Sequence, residues 1–182
     1  MAEVHTIRYI WRPAKEKVYR FGRDQEVRSV ILHSSCGREA GDLEILTGGT
    51  EREVSSHWYI TRSGKVYRLV SDADTAWHAG KVNQPRYANS ASIGIEMEHF
   101  DPDENHPEGQ DWPRIQVEEV SRVCAYLLKK FKLSPKDIFS HEQIADPPGR
   151  KSDPVNFPWR DFHDKLEAKL EYDWKAEKIE EA

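Results

Sequence analysis

Three residues in separate parts of the sequence have the side-chain chemistry of a catalytic metal site. His33 ends an apolar run, His141 follows a short apolar pair, and Asp153 lies in a basic segment beside a proline. Two imidazoles and one carboxylate suit a zinc ion and leave its fourth position open for water, which is the catalytic arrangement. A structural zinc would more often be closed by four ligands rich in cysteine. The three residues are far apart in the sequence, so they can form one site only if the fold brings them together.

An acidic strand and a basic loop offer further catalytic groups. Residues 92–98 (SIGIEME) alternate so that the larger apolar side chains share one face, while Glu96 and Glu98 share the other. A carboxylate beside a metal-activated water can take its proton and pass it to a leaving amine. Alternation does not choose between the two glutamates, and either could be a solvated strand carboxylate. Lys151 could stabilise a developing negative oxygen, or could be an ordinary surface lysine.

The remaining histidine and tryptophan residues give weaker signals. His57 precedes Trp58 in an apolar segment and is more typical of packing around a site than of a metal ligand. Trp77 lies in the turn-like segment AWHAG, and its ring face would suit a sugar ring, although it could simply be core. We expect four further histidines at the surface: His5, His99, His106 and His163.

The elements that must position these residues begin with three strands. Residues 27–33 form an apolar, β-branched run that predicts a buried strand ending at His33. Residues 57–61 and 66–70 flank a Ser-Gly turn and predict a hairpin. Together with residues 92–98, these strands would place polar groups at their ends.

Two helices are predicted in the second half of the chain. Apolar residues recur at a spacing of three or four between Val117 and Phe131, and every four residues from Phe162 to Trp174. Before them, the acidic and proline-rich residues 101–113 predict an exposed loop. Strands interleaved with helices are typical of an α/β domain built on one central mixed sheet flanked by helices.

The two ends of the chain are predicted to lie outside the core. The first 26 residues are polar and mixed, and we expect an arm laid on the domain. Residues 175–182 are charged and are expected to fray. The core would then span residues 27–174 of a single domain that covers residues 1–182.

The composition excludes several classes of protein. With 182 residues, 37% of them hydrophobic, the chain can bury a core. No stretch approaches the ~18 apolar residues of a membrane span, and no signal peptide is apparent, so we expect a soluble protein that is cytoplasmic as synthesised. The net charge of -5 argues against nucleic acid as a partner. Cys36 and Cys124 are too few for a disulfide framework, and we expect two buried thiols.

Six blocks of sequence, in order, resemble a known family of zinc enzymes. The blocks run from about residue 27 to residue 159, and their shared order argues against a chance match. The chain resembles the type 2 N-acetylmuramoyl-L-alanine amidases, which include cell-wall recycling amidases, phage endolysins and animal peptidoglycan recognition proteins. The blocks are VILHSS at 30–35, VSSHWYI at 54–60, AWHAG at 76–80, SIGIE at 92–96, SHEQIA at 140–145 and RKSDP at 150–154.

The resemblance implies catalytic roles for five residues. His33, His141 and Asp153 match the three zinc ligands of the family. Glu96 matches the acidic residue proposed as the general base in the recycling-type members. Lys151 matches the lysine near the metal that stabilises the oxyanion. The implied fold is the amidase and peptidoglycan recognition protein fold, with Zn²⁺ as the cofactor.

The resemblance also indicates the substrate groove and two departures. The block with Trp77 and His78 matches the groove, and with His57 these are our candidate substrate-binding residues. Ser56 stands where some phage amidases have a catalytic tyrosine, so the chain follows the glutamate variant. The segment before Asp153 is longer than is usual in the family, and the segment after it lacks a glycine. These departures affect the local loop and the fine substrate preference.

We therefore expect a zinc-dependent peptidoglycan hydrolase that cleaves the amide bond between N-acetylmuramic acid and L-alanine. It would be a monomer without a separate wall-binding domain, acting on peptidoglycan or muropeptides, and not on membranes. A phage or prophage endolysin, which would reach the cell wall after release, is favoured over a cytoplasmic amidase that recycles anhydro-muropeptides. Two competing functions are a non-catalytic peptidoglycan-binding module and a zinc peptidase acting on ordinary peptides.

Overall fold

In a computed structural model of the protein, residues 4–100 and 110–181 are described and form nine strands and four α-helices. The helices are α1 Glu39–Leu46, α2 Arg114–Phe131, α3 His141–Ile144 and α4 Trp159–Lys169. The strands are β1 Val4–Trp11, β2 Tyr19–Arg20, β3 Ser29–Ser34, β4 Trp58–Ile60, β5 Val66–Arg68, β6 Thr75–Ala76, β7 Ser92–Met97, β8 Ile138–Ser140 and β9 Asp173–Ile179.

Seven of these strands form one mixed sheet in the order β8-β3-β7-β4-β5-β1-β9. The pairs are parallel except for β4 with β5, which are antiparallel and form the predicted hairpin. The central strands β3 and β7 are buried along almost their whole length, which explains the apolar runs in their sequence. The expected α/β fold with a central mixed sheet is therefore confirmed.

One face of the sheet packs against the long helices and forms the main core. The alternating residues Ile93, Ile95 and Met97 of β7 all point into this core, as their spacing predicts. Helix α2 contributes a buried stripe, and α4 contributes Phe162 and Leu166. Both helix predictions are confirmed, although α4 ends at Lys169 and does not reach Trp174.

The opposite face of the sheet is covered in two separate places. Helix α1 packs Leu43 and Leu46 against aromatic side chains of the β4–β5 hairpin. On the other side, Ile31 packs with residues of the 79–87 segment and of α3. The carboxyl ends of β3 and β7 lie between these two clusters. Ser34 and Glu96, at the carboxyl ends of these strands, line a cleft there.

The expected surface arm and the expected fraying tail are both wrong, because each contains residues of a strand of the seven-stranded sheet. β1 lies between β5 and β9, and seven residues of β1 pair with β9 from Val4–Asp173 to Ile10–Ile179. Trp174 belongs to β9 and packs, half-buried, against the main core. The ends of the chain thus complete the sheet instead of lying on its surface.

Three smaller expectations have mixed outcomes. Cys124 is buried as expected, but Cys36 is exposed. His99, expected at the surface, is buried and its ring stacks on Trp112. The predicted loop at 101–113 falls largely outside the described residues, as does His106. Among the described helices, none is both long and apolar enough to cross a membrane.

Candidate metal centre and active-site cleft

The three predicted metal ligands come together at the carboxyl ends of β3 and β8. His33 is the fifth residue of β3, and His141 begins α3 directly after β8, which pairs with β3. Asp153 lies in the loop after α3, where its carbonyl accepts a hydrogen bond of 3.0 Å from the Glu142 amide. Parallel strand pairing therefore brings together residues that are 108 positions apart.

The three ligand atoms lie close enough together to share one metal ion. His33 Nδ1 lies 2.9 Å from His141 Nδ1 and 3.5 Å from Asp153 Oδ2, and His141 Nδ1 lies 3.1 Å from that oxygen. Tetrahedral zinc–ligand bonds of ~2.0–2.2 Å would separate such atoms by roughly 3.3–3.6 Å, so the two shorter distances would lengthen by a few tenths of an ångström around the ion. All three residues are buried. The structure thus forms a compact His-His-Asp group that fits a metal ion.

Hydrogen bonding at His141 supports the same fit. His141 Nε2 lies 3.1 Å from the carbonyl oxygen of Ala79, which can only accept. The ring hydrogen of neutral His141 is therefore assigned to Nε2, and its Nδ1 lone pair faces His33 and Asp153. Lone pairs and a carboxylate turned toward one point form a donor set for a cation.

Protonation of these ligands also favours metal binding. Burial lowers the pKa of His33 to about 4, although the nearby Asp153 carboxylate, which would stabilise the protonated ring, opposes that shift. Burial alone would raise the pKa of Asp153, but the adjacent imidazoles of His141 and His33 outweigh it and hold this pKa below its usual range. His33 is thus neutral and Asp153 is ionised near pH 7, as metal coordination requires.

A cleft of about 400 Å³ opens above the ligands and contains both predicted catalytic groups. Glu96 pairs in register with His33 across β3 and β7, so the two side chains rise from the same face of the sheet. Lys151 is exposed and lines the cleft beside Asp153. The structure therefore places a carboxylate and an ammonium at the candidate metal site.

The surroundings of Glu98 distinguish it from Glu96. One oxygen of Glu98 accepts a hydrogen bond of 3.2 Å from the Glu39 amide at the start of α1. The other accepts one of 2.9 Å from the Arg62 amide in the hairpin turn. Glu98 thus joins α1 to the β4–β5 hairpin, and it does not line the cleft. Of the two glutamates that alternation could not separate, Glu96 alone lines the cleft.

The three predicted substrate-binding residues occupy different places. Trp77 is half-buried and lines the cleft, with its amide hydrogen-bonded to Ser55 Oγ at 3.0 Å. His78 borders the cleft but is mostly buried against Gly94. His57 is fully buried, accepts a hydrogen bond from the Gly94 amide and has no surface in the cleft. Of these three, Trp77 alone offers a broad side-chain surface to a ligand.

Sequence reasoning missed several residues that shape the site. Arg150 lines the cleft and donates to the carbonyl oxygens of Lys81 and Ala79, at 2.7 and 3.3 Å. Asn89 accepts hydrogen bonds from the amides of His78 and Ala79, at 3.1 and 2.8 Å. The position of Arg150 directly before Lys151 is a signal that could have been used. Asn89 carries no such signal in the sequence.

Comparison with known proteins gives a family match over most of the chain. The family model for N-acetylmuramoyl-L-alanine amidase matches residues 23–156. The chain is 26% identical over 147 residues to N-acetylmuramoyl-L-alanine amidase AmiD of Escherichia coli (strain K12), covering 74% of this chain and 51% of the relative. It is 34% identical over 116 residues to 1,6-anhydro-N-acetylmuramyl-L-alanine amidase AmpD of Haemophilus influenzae, covering 62% and 58%. The chain thus spans little more than half of either relative.

Solved structures share the fold. The crystal structure of a selenomethionine AmpD derivative superposes with a TM-score of 0.71 at 23% identity, covering 87% of this chain and 94% of that one. A mutant endolysin from Bacillus subtilis superposes with a TM-score of 0.63 at 17% identity, covering 90% and 99%. At these identities the likeness concerns the fold alone.

Proposed function

The chain belongs to the N-acetylmuramoyl-L-alanine amidase family, and from that membership we propose that it is a zinc-dependent hydrolase of the amide bond between N-acetylmuramic acid and L-alanine. The observation that carries the proposal is the convergence of His33, His141 and Asp153 at the base of a cleft that also contains Glu96 and Lys151. A bound zinc ion would lower the pKa of a coordinated water toward ~7 and polarise the substrate carbonyl.

Glu96 and Lys151 supply the remaining chemistry from this chain. The Glu96 carboxylate takes a proton from the attacking water and delivers it to the nitrogen of the leaving amine. The Lys151 ammonium group stabilises the negative charge that develops on the carbonyl oxygen. Both groups line the same cleft as Asp153. Hydrolysis then releases a free lactyl carboxylate and a peptide that begins with L-alanine.

The substrate occupies the cleft beside Trp77, whose ring offers an apolar face to the sugar. Soluble muropeptides are favoured over the intact cell wall. The curated relatives are named as muramyl-alanine amidases, one of them for a 1,6-anhydro substrate, whereas the endolysin shares only the fold with this chain. The anhydro-muropeptide amidase therefore replaces the endolysin, which the sequence favoured, as the proposed role.

The direct test is product analysis with the zinc-loaded protein. A purified anhydro-muropeptide and intact sacculi are incubated separately with the protein, and the products are identified by mass spectrometry. We expect release of the stem peptide with a free L-alanine amino group, faster from the soluble substrate. Cleavage should stop when zinc is removed by a chelator and return when zinc is restored.

Different products would favour a different function. Cleavage between amino acids of the stem peptide would indicate a zinc peptidase. Tight binding of the muropeptide without any cleavage by the zinc-loaded protein would indicate a peptidoglycan-binding module. Efficient lysis of sacculi with little action on the soluble substrate would restore the endolysin role.

A further inference from the structure

The turn at residues 77–80 lies against both metal histidines at once. The carbonyl oxygen of Ala79 faces His141 Nε2 at 3.1 Å, and His78 Nδ1 lies 3.0 Å from His33 Nε2. The side of each metal histidine that faces away from the ligand group is therefore occupied by consecutive residues of one turn. A metal-binding histidine usually donates its second ring hydrogen to such a partner, which fixes the orientation of the ring.

The donor and acceptor in the hydrogen bond between His78 and Ser92 can be identified from the next partner of Ser92. Ser92 Oγ donates to the Ala88 carbonyl at 2.8 Å, and this carbonyl oxygen can only accept. Since the single hydroxyl hydrogen is used there, Ser92 Oγ accepts from His78 Nε2, which lies 3.2 Å away. The hydrogen of neutral His78 is thus on Nε2, and its Nδ1 is an acceptor.

The same direction continues to the metal ligand. His78 Nδ1, as an acceptor, receives the Nε2 hydrogen of His33. Neutral His33 then has no hydrogen on Nδ1, which is the atom facing His141 and Asp153. One tautomer of His33 is therefore held by a series of hydrogen bonds that runs through His78 and Ser92 to the Ala88 carbonyl. The series has a fixed direction because the carbonyl oxygen at its end can only accept.

The surroundings hold His78 in this place. A Cβ atom on Gly94 would lie 2.4 Å from His78 Cγ, so the ring rests directly on bare backbone of β7. Asn89 fixes the turn from the other side by accepting from the amides of His78 and Ala79. His78 is 8% exposed and Ser92 is fully buried, so water does not compete freely for these hydrogen bonds.

We propose that His78 is a positioning residue for the metal site, which acts by accepting the Nε2 hydrogen of His33 and so directing the Nδ1 lone pair toward the metal. This inference rests on the proposed function in so far as zinc is the metal. It assigns His78 a role different from the groove-lining role that the sequence suggested. His78 touches neither the metal nor the reacting bond, and it acts only through His33.

The test measures zinc affinity by competition with a chromophoric chelator, without any substrate. His78→Leu removes the acceptor, and we expect the zinc dissociation constant to rise ~10–100-fold, as for other partners of metal histidines. His78→Asn places an amide oxygen the same number of bonds from Cβ as Nδ1, and it should recover most of the lost affinity. The Co²⁺-loaded protein should show an altered visible spectrum for His78→Leu and a restored one for His78→Asn.

A matched pair of serines tests the hydrogen bond between Ser92 and His78. Ser92→Ala removes the acceptor for His78 Nε2 and should also weaken zinc binding. Ser29 is the register partner of Ser92, is equally buried, and donates from its hydroxyl to the Arg86 carbonyl at 2.8 Å without touching His78. Ser29→Ala should therefore leave zinc affinity unchanged.

The outcomes separate this inference from the proposed function. Wild-type zinc affinity in His78→Leu, or an equal loss in His78→Asn and His78→Leu, would overturn the role of His78. If His78→Leu fails to fold in thermal unfolding scans, the Asn variant and the two serine variants still decide the question. Zinc affinities that follow the expected order in a protein that cleaves no muropeptide would contradict only the proposed function. A wild-type protein that binds no zinc would overturn both.

Discussion

At the residue scale, the two glutamates near the end of β7 differ in what surrounds them. Glu96 is the register partner of His33 and lines the cleft, whereas both oxygens of Glu98 accept backbone hydrogen bonds from Glu39 and Arg62. A group whose oxygens are both held by backbone amides is poorly placed to exchange protons with a substrate. The pair therefore offers a matched test of catalytic against structural function.

Glu96→Gln should retain zinc and lose most of its turnover. The amide cannot take a proton from water, and loss of a general base commonly lowers kcat by ~10²–10⁴-fold. The measurements are zinc content and the rate of muropeptide cleavage. Substantial activity in this variant would exclude Glu96 as the base.

Glu98→Gln should show the reverse behaviour. It weakens two charge-assisted hydrogen bonds and should lower the free energy of unfolding by about 1–2 kcal/mol. Turnover of the folded, zinc-loaded protein should stay within a few-fold of the wild type. Urea unfolding followed by circular dichroism measures the first effect. If Glu98→Gln instead lost its turnover with stability intact, Glu98 would be the base.

The candidate catalytic residues illustrate what sequence can and cannot predict. Glu96 and Glu98 share a strand face, so periodicity alone could not separate them. The separation depends on the amides of Glu39 and Arg62, which approach only in the folded chain. The sequence motif identifies His78 but suggests a groove role, because the hydrogen bonds behind it involve Ser92 and a distant carbonyl.

At the scale of elements, β7 and residues 77–80 pack closely because Gly94 has no side chain. Gly94 lies in β7 beneath the ring of His78. Here glycine is required for close approach and not for an unusual backbone angle. The same strand thus presents Glu96 to the cleft and provides the surface on which His78 rests.

Gly94→Ala should therefore destabilise the protein and weaken zinc binding together. The added methyl group would lie 2.4 Å from the imidazole, so the ring must move away from His33 or the strand must shift. Overpacking of this kind typically costs ~1–3 kcal/mol. Thermal unfolding and zinc competition measure the two effects.

Gly41→Ala is the matched control for that substitution. Gly41 lies in α1, and an added Cβ would meet no atom within 4 Å beyond its chain neighbours and the backbone of its own helix. Replacement of a helical glycine by alanine should stabilise the protein by roughly 0.5–1 kcal/mol and leave zinc affinity unchanged. Destabilisation by Gly41→Ala as large as that by Gly94→Ala would contradict the packing explanation.

Elements with strong local patterns were predicted well, and the edge strands were not. Helix α2 repeats its apolar residues over five turns, and β3 is a continuous apolar run. In contrast, β1 has a single fully buried residue, Ile7, and β9 alternates exposed charges with half-buried side chains. Their partnership joins residues 169 positions apart at Val4–Asp173, and no local window of sequence contains that information.

At the scale of the whole molecule, β9 should contribute to global stability. Deletion of residues 173–182 removes the partner of β1 along seven residues and exposes the surface under Trp174. We expect the free energy of unfolding to fall by ~3 kcal/mol or more, comparable with loss of a large core side chain. Deletion of a frayed tail would leave the free energy of unfolding unchanged. Lys175→Ala, whose side chain is 60% exposed, should change stability by less than ~0.5 kcal/mol.

Stability of the metal-free protein should also depend on pH through buried His57. Burial, followed by the charge of Arg23, lowers the pKa of His57 well below its ordinary value of 6.5. The unfolded chain therefore binds a proton that the folded protein excludes. The contribution of neutral His57 to the free energy of unfolding is fully present above pH 6.5 and is lost as the pH decreases below it. The slope should approach ~1.4 kcal/mol per pH unit for this group.

Urea unfolding at several pH values between about 7.5 and 5, which bracket the ordinary pKa of histidine, measures that slope. His57→Asn retains an acceptor for the Gly94 amide but cannot bind the proton. Its stability should be lower at neutral pH, and its decline with falling pH should be shallower than that of the wild type. Equal slopes in the two proteins would show that His57 does not titrate in this range.

The pairing of β1 with β9 has a consequence for synthesis of the protein. β1 is synthesised before the rest of the sheet, and its outer neighbour is completed only when residues 173–179 have been added. At about 5–20 residues per second, translation separates the two strands by roughly 8–35 s. Throughout that time the nascent sheet has an open edge at β1, and the final strand can close it only after the metal-binding residues have all been made.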